Sequence, residues 1–133
     1  MFVRTKGVTR VVRTAVLGYP RMGVGRELKK ALESYWSDPS TQETLTATAS
    51  AIRREHWRIQ RDAGITLIPC GDFSLYDHVL DTAVMVGAVP PRFAAGPGAV
   101  DLDTYFAMAR GGRHRGADVT ALEMTKWLSL IHI

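Results

Sequence analysis

Apolar and polar positions alternate along the chain in two rhythms. Ala15-Val16-Leu17-Gly18 is a short apolar run ended by Gly18 and Pro20, the pattern of a buried strand. A turn rich in glycine, Met22-Gly23-Val24-Gly25, leads into Arg26 to Trp36, where Leu28, Ala31, Leu32 and Tyr35 recur at helical spacing. Arg26, Lys29, Lys30 and Glu33 fall on another face of that helix. Ser40 and Glu43 are spaced as a capping box, and the helix they open is predicted to run to about Ala63. Its apolar stripe is Leu45, Ala49, Ile52, His56 and Ile59, and Gly64 is its stop.

Ile65-Thr66-Leu67-Ile68 reads as a second buried strand, followed by the turn Pro69-Cys70-Gly71-Asp72. A helix is predicted over roughly Leu75 to Val86 with Gly87 closing it, and a loop of small residues over Ala94 to Val100. Leu102 to Ala109 reads as a short helix, Gly111 to Gly116 as a basic loop, and Ala121 to Trp127 as one more brief element. Strand, long helical crossover, strand, helix is the order of a parallel α/β sheet. Two strands are fewer than an open sheet or a closed barrel needs, so unpaired sheet edges are expected.

Composition narrows the class. The chain has 133 residues, 46% of them hydrophobic and 23% charged, the balance of a folded globular protein. The longest stretch low in charge, Thr82 to Val100, contains Pro90, Pro91 and Arg92 and is unsuited to crossing a membrane. A single cysteine, Cys70, excludes an internal disulfide framework, fits a reducing compartment, and is expected to be buried. The net charge of +4 is uneven. Residues 1–30 carry Arg4, Lys6, Arg10, Arg13, Arg21, Arg26, Lys29 and Lys30 against Glu27 alone. An anionic partner is therefore to be sought near this segment.

The helix start at Arg26 is the first candidate for chemistry. Helix N-termini disfavour cations by roughly 0.3–1 kcal/mol each at exposed sites, and an anion docking there reverses the sign. The alternative is a solvated cationic face. The segment lacks the Gly-Lys-Ser/Thr ending of a nucleotide loop and the third glycine of a dinucleotide fingerprint. Asp72, just beyond the second strand, reads equally as a carboxylate lining the ligand crevice or as a turn and cap residue. His78 is a candidate for the same crevice, and His56 is expected to be a core residue. The four histidines are too scattered for a metal site by spacing. Arg110 to Gly116 has the look of an RGG segment, but it is single and without interleaved aromatics, so a solvated loop is expected.

Leu17–Gly23, Arg26–Trp36, His56-Trp57, Ala63–Ile65, Gly71–Leu80, Leu102–Gly111 and Ala121–Trp127, taken in order, resemble the opening of cobalamin-independent methionine synthase. The resemblance implies transfer of a methyl group from 5-methyltetrahydropteroyltriglutamate to homocysteine, giving methionine without cobalamin in the cytoplasm. It implies an enzyme built of two (β/α)8 barrels, of which this chain would be a partial TIM barrel truncated after the first few βα elements. A zinc ion that activates the homocysteine thiolate belongs to the second barrel, so no metal ligand and no catalytic residue is expected within this chain. The family's folate-tail residues map onto Arg26, Glu27, Leu28 and Lys29, and a later lysine onto Lys126.

The expected layout is an extension without regular structure over 1–14, an incomplete barrel domain over 15–127, and an aberrant tail over 128–133. His132 in that tail is not equated with a family histidine. The chain alone is expected to bind the folate tail and to be inactive, with neither nucleic acid nor membrane as partner. The competing reading is a small basic module that binds anions or nucleic acid through the N-terminal segment.

Overall fold

A computed structural model of the chain describes residues 2–5, 8–37, 39–93 and 100–122. They fold as a mixed α/β protein that divides into two units, residues 1–75 and 76–133. In the first unit β1 (Phe2–Thr5) pairs antiparallel with β2 (Val8–Val11), Phe2 opposite Val11 and Thr5 opposite Val8. No regular structure was expected there. The segments Phe2-Val3-Arg4-Thr5 and Val8-Thr9-Arg10-Val11 are rich in β-branched residues, which suit a pleated ribbon.

Helices α1 (Glu27–Trp36) and α2 (Gln42–Asp62) pack against each other and form the core of this unit. The predicted stripes are the buried ones: Leu28 and Leu32 on α1, and Leu45, Ala49, Ile52 and His56 on α2. Burying a leucine fully is worth about 1.5–3 kcal/mol, so these few contacts outweigh the modest propensity of the polar faces. Gln60, rather than Ile59, completes the α2 stripe as its last buried residue. Its side-chain amide donates to the His56 carbonyl at 3.1 Å.

The start of α2 lies one residue later than the capping box predicts. Thr41, not Ser40, is the N-cap, its hydroxyl accepting from the Thr44 N–H at 3.3 Å. The stop is as predicted: Gly64 takes φ of 80°, Ile65 N–H reaches the Gln60 carbonyl and Gly64 N–H the Arg61 carbonyl. This double closure is the Schellman arrangement that a left-handed residue permits.

The two predicted strands meet in parallel as expected, but at one bridge only and without the expected burial. Ala15 and Leu67 form an isolated parallel bridge, and both strand segments are largely exposed. Thr14 holds the pair: its carbonyl accepts from the N–H groups of Thr66 and Leu67, and its hydroxyl lies 3.2 Å from that of Thr66. Parallel strands are buried only when a layer covers each face. Among the described residues neither strand has a second strand beside it.

In the second unit α3 (His78–Met85) starts later than the apolar pattern implies. Asp77 stands extended at its N-cap and accepts from Val79 and Leu80 N–H at 2.9 and 3.0 Å, which fixes the first turn. Ala88 N–H to Ala83 and Gly87 N–H to Val84 close it in the same Schellman manner. Helix α4 (Leu102–Arg110) buries every residue from Thr104 to Ala109. The Tyr105 hydroxyl donates to Asp81 at 2.6 Å and accepts from the Tyr76 N–H at 3.3 Å. Burial, and then the Asp81 carboxylate, push this phenol well above its ordinary range. The expected basic loop is instead a hairpin of β3 (Gly112–His114) and β4 (Ala117–Val119). Its two turn residues, Arg115 and Gly116, both have positive φ, as the twist of a tight hairpin requires.

Candidate functional site

The turn between the Ala15 bridge segment and α1 is built by backbone hydrogen bonds and one carboxylate. Arg26 N–H reaches the Gly23 carbonyl and Leu28 N–H the Met22 carbonyl, each at 3.2 Å. Glu27, the first residue of α1, folds back so that both its oxygens accept from Gly25 N–H, at 3.1 and 3.0 Å. A side chain at Gly23 would overlap that carboxylate, so the close approach depends on glycine there. Arg26 is the N-cap, in the left-handed conformation at φ 60° and ψ 36°, and makes no side-chain capping bond. That conformation costs a non-glycine residue roughly 1–2 kcal/mol.

The cations of the helix start stay on the surface. Arg26, Lys29 and Lys30 are exposed, and Lys29 pairs with Glu33 at 3.5 Å with about half of each side chain in solvent, 47% and 56%. Such a pair is worth about 0–1 kcal/mol and is readily exchanged for another anion. Leu28 is 0% exposed, so its side chain belongs to the core and anchors the turn from beneath. Arg21 donates to the Ser74 carbonyl at 2.7 Å and ties the turn to the second strand's loop.

Asp72 spends one oxygen on the backbone, accepting from Tyr19 N–H at 2.9 Å. Its observed task is to join the loops that follow the two strands. The neighbouring Cys70 is exposed, contrary to expectation, because its turn projects from the bridge into solvent. Trp57 steadies that turn by donating to the Pro69 carbonyl at 3.1 Å. His78 is the exposed first residue of α3 and belongs to the other unit. Lys126 and His132 lie outside the described residues.

A cavity of about 470 Å³ adjoins Glu27, walled by Tyr19, Met22, Val24, Ile52, His56 and Ile59. The His56 ring lies 4.5 Å from the Tyr19 ring, centroid to centroid. Its place on the apolar stripe of α2 was visible in the sequence; the cavity it lines was not. Glu55 at the same wall has its carboxyl held below the usual range, chiefly by hydrogen bonds from Arg58. Among the described residues no three His, Cys, Asp or Glu side chains come together as a metal site.

Geometry of this kind defines a mixed α/β protein with a cationic, strained helix start that already seats one carboxylate. Residues 13–130 match the family described as cobalamin-independent synthase, N-terminal domain. The chain belongs to that family. It is 59% identical over 115 residues to the 5-methyltetrahydropteroyltriglutamate–homocysteine methyltransferase of Syntrophotalea carbinolica, covering 86% of this chain and 15% of that protein. The enzyme of the same name from Parvibaculum lavamentivorans is 59% identical over 114 residues, and that from Streptomyces avermitilis 53% over 122. The chain thus spans about 15% of the length of the relatives it matches.

Proposed function

We propose that this chain supplies the folate-tail contacts of a methyltransferase that moves the methyl group of 5-methyltetrahydropteroyltriglutamate to homocysteine, forming methionine. Arg26 and Lys29, with Lys126, take the carboxylates of the glutamate tail, and Leu28 holds the turn in place. Glu27 belongs to the same site as the residue that shapes it. Its carboxylate occupies the Gly25 N–H, leaving side-chain cations to meet the ligand. The zinc of the reaction, its ligands and the thiolate chemistry lie in parts of the enzyme that this chain does not span, so the chain alone is inactive. The same reading makes residues 15–127 the opening of a (β/α)8 barrel in a cytoplasmic enzyme. No helix among the described residues is long and apolar enough to cross a membrane.

The exposed cations around a glycine turn carry the reading, because a short run of carboxylates matches their charge. Calorimetric titration of the chain with tri-γ-glutamyl and monoglutamyl folate tests it. Tighter binding of the triglutamate, with the difference reduced roughly tenfold in Lys29→Ala, is the expected outcome. Equal affinity for the two folates would refute tail binding. Salt-steep binding of nucleic acid instead would favour the basic-module reading.

A further inference from the structure

Of the exposed cations Arg26, Lys29 and Lys30 at the α1 start, Lys29 is the one with an acidic partner among the described residues, Glu33 at 3.5 Å. The pair runs against what helix stability favours. A lysine placed before a glutamate at i, i+4 is the weaker order, and a cation in the first turn opposes the helix dipole. Both side chains are about half in solvent, so water screens the attraction and the link opens easily. Glu27 differs in kind. Its two oxygens accept from the Gly25 N–H, only two residues back along the chain, and it stays with the turn. One acid is thus built into the frame of the site, and another lies on Lys29.

We infer that Glu33 is a resident competitor for the ligand, pairing with Lys29 until a carboxylate of the glutamate tail takes its place. The inference rests on the reading of Arg26 and Lys29 as the tail-binding cations. Lys29 can hold both carboxylates only by setting two like charges side by side, so the incoming one displaces Glu33. A tail tethered at Arg26 presents its next carboxylate to Lys29 at high effective concentration, and so competes with a side chain of the same helix. Glu33 thereby sets how tightly a polyanionic tail is held. Removing its charge strengthens binding, the reverse of what loss of a contact residue does.

Calorimetric titration of the full chain with tri-γ-glutamyl folate at low salt tests this on the parent, Glu33→Gln, Lys29→Ala and the double variant. Glu33→Gln should bind roughly two- to fivefold more tightly than the parent, the most that an exposed pair can withhold. In the Lys29→Ala background the same substitution should change affinity by less than about 1.5-fold, since the competitor then has no cation to occupy. Helical circular dichroism should be the same in all four. Unchanged binding by Glu33→Gln overturns the inference, and weaker binding overturns it by showing that Glu33 steadies Lys29 for its ligand. A gain that survives Lys29→Ala also overturns it, as an effect of net charge alone. Equal affinity of the parent for triglutamyl and monoglutamyl folate fails the tail reading and the role of Glu33 with it. Triglutamate preference with an indifferent Glu33→Gln fails the role of Glu33 alone.

Discussion

The starts of α1 and α4 solve the same problem in opposite ways. At α4, Asp101 stands extended and its carboxylate accepts from Thr104 N–H at 2.7 Å, satisfying one of the donors that every helix start leaves over. Thr41 and Asp77 do the same for α2 and α3. At α1 the cap is an arginine in the left-handed region with no side-chain bond to the helix, and cations follow it where the helix dipole disfavours them. Three helix starts are arranged for stability, and the fourth gives some up. Departures of this sort concentrate where a protein binds something. The α1 start is also where we propose that the folate tail binds.

The contrast predicts that the start of α1 is held by burial beneath it and the start of α4 by its cap. The largest effect should come from Leu28→Ala. This removes the fully buried side chain beneath the α1 turn, and the cavity left behind should cost about 3 kcal/mol. Urea unfolding followed by circular dichroism would measure it. A cost under about 1 kcal/mol would mean that Glu27 and the backbone bonds hold the turn unaided.

Asp101→Ala should cost less, about 1 kcal/mol, as loss of a cap usually does. It carries a pH signature as well. Hydrogen bonds from Thr104, side chain first and then backbone, hold the Asp101 carboxyl below its ordinary range, with smaller help from Arg115 and His114. A depressed folded pKa gives stability that is present above the unfolded value near 3.9 and is lost as pH falls through the folded one. The variant should therefore lose less stability than the parent between about pH 4 and pH 2, measured by thermal melts across that range. An unchanged acid limb would show that the carboxylate caps nothing.

How much of this was legible depends on what each feature rests on. The stripes Leu28–Leu32 and Leu45–Ala49–Ile52–His56 were readable because a helix repeats its own period, and Gly64 and Gly87 because left-handed closure favours glycine. The shift from Ser40 to Thr41 was not readable, since two adjacent hydroxyls both qualify as caps and local geometry chooses between them. Cover of the strands at Ala15 and Leu67 was misjudged. Apolar composition says that a strand is meant to be buried, while burial itself needs neighbours that sequence alone cannot supply. At the site, charge picked out Arg26 and Lys29, and periodicity placed Leu28 in the core. The return of Glu27 onto Gly25 carries no sequence period and emerged only from the fold.

Arg26→Gly should have the smallest effect on stability and is the sharpest probe of why the α1 start departs from the others. Glycine adopts φ 60° without the clash an arginine suffers, but it also gains freedom in the unfolded chain, and the two terms oppose each other. The net should be a stabilisation of about 0.5 kcal/mol or less, seen as a small rise in the urea midpoint. Triglutamyl folate binding should move the other way, falling about tenfold, because the residue whose backbone is strained is also the one whose guanidinium is offered to a carboxylate. If binding and stability rise together, the left-handed arginine is an accident of the turn. Opposite signs would show that the conformation is kept for what Arg26 holds.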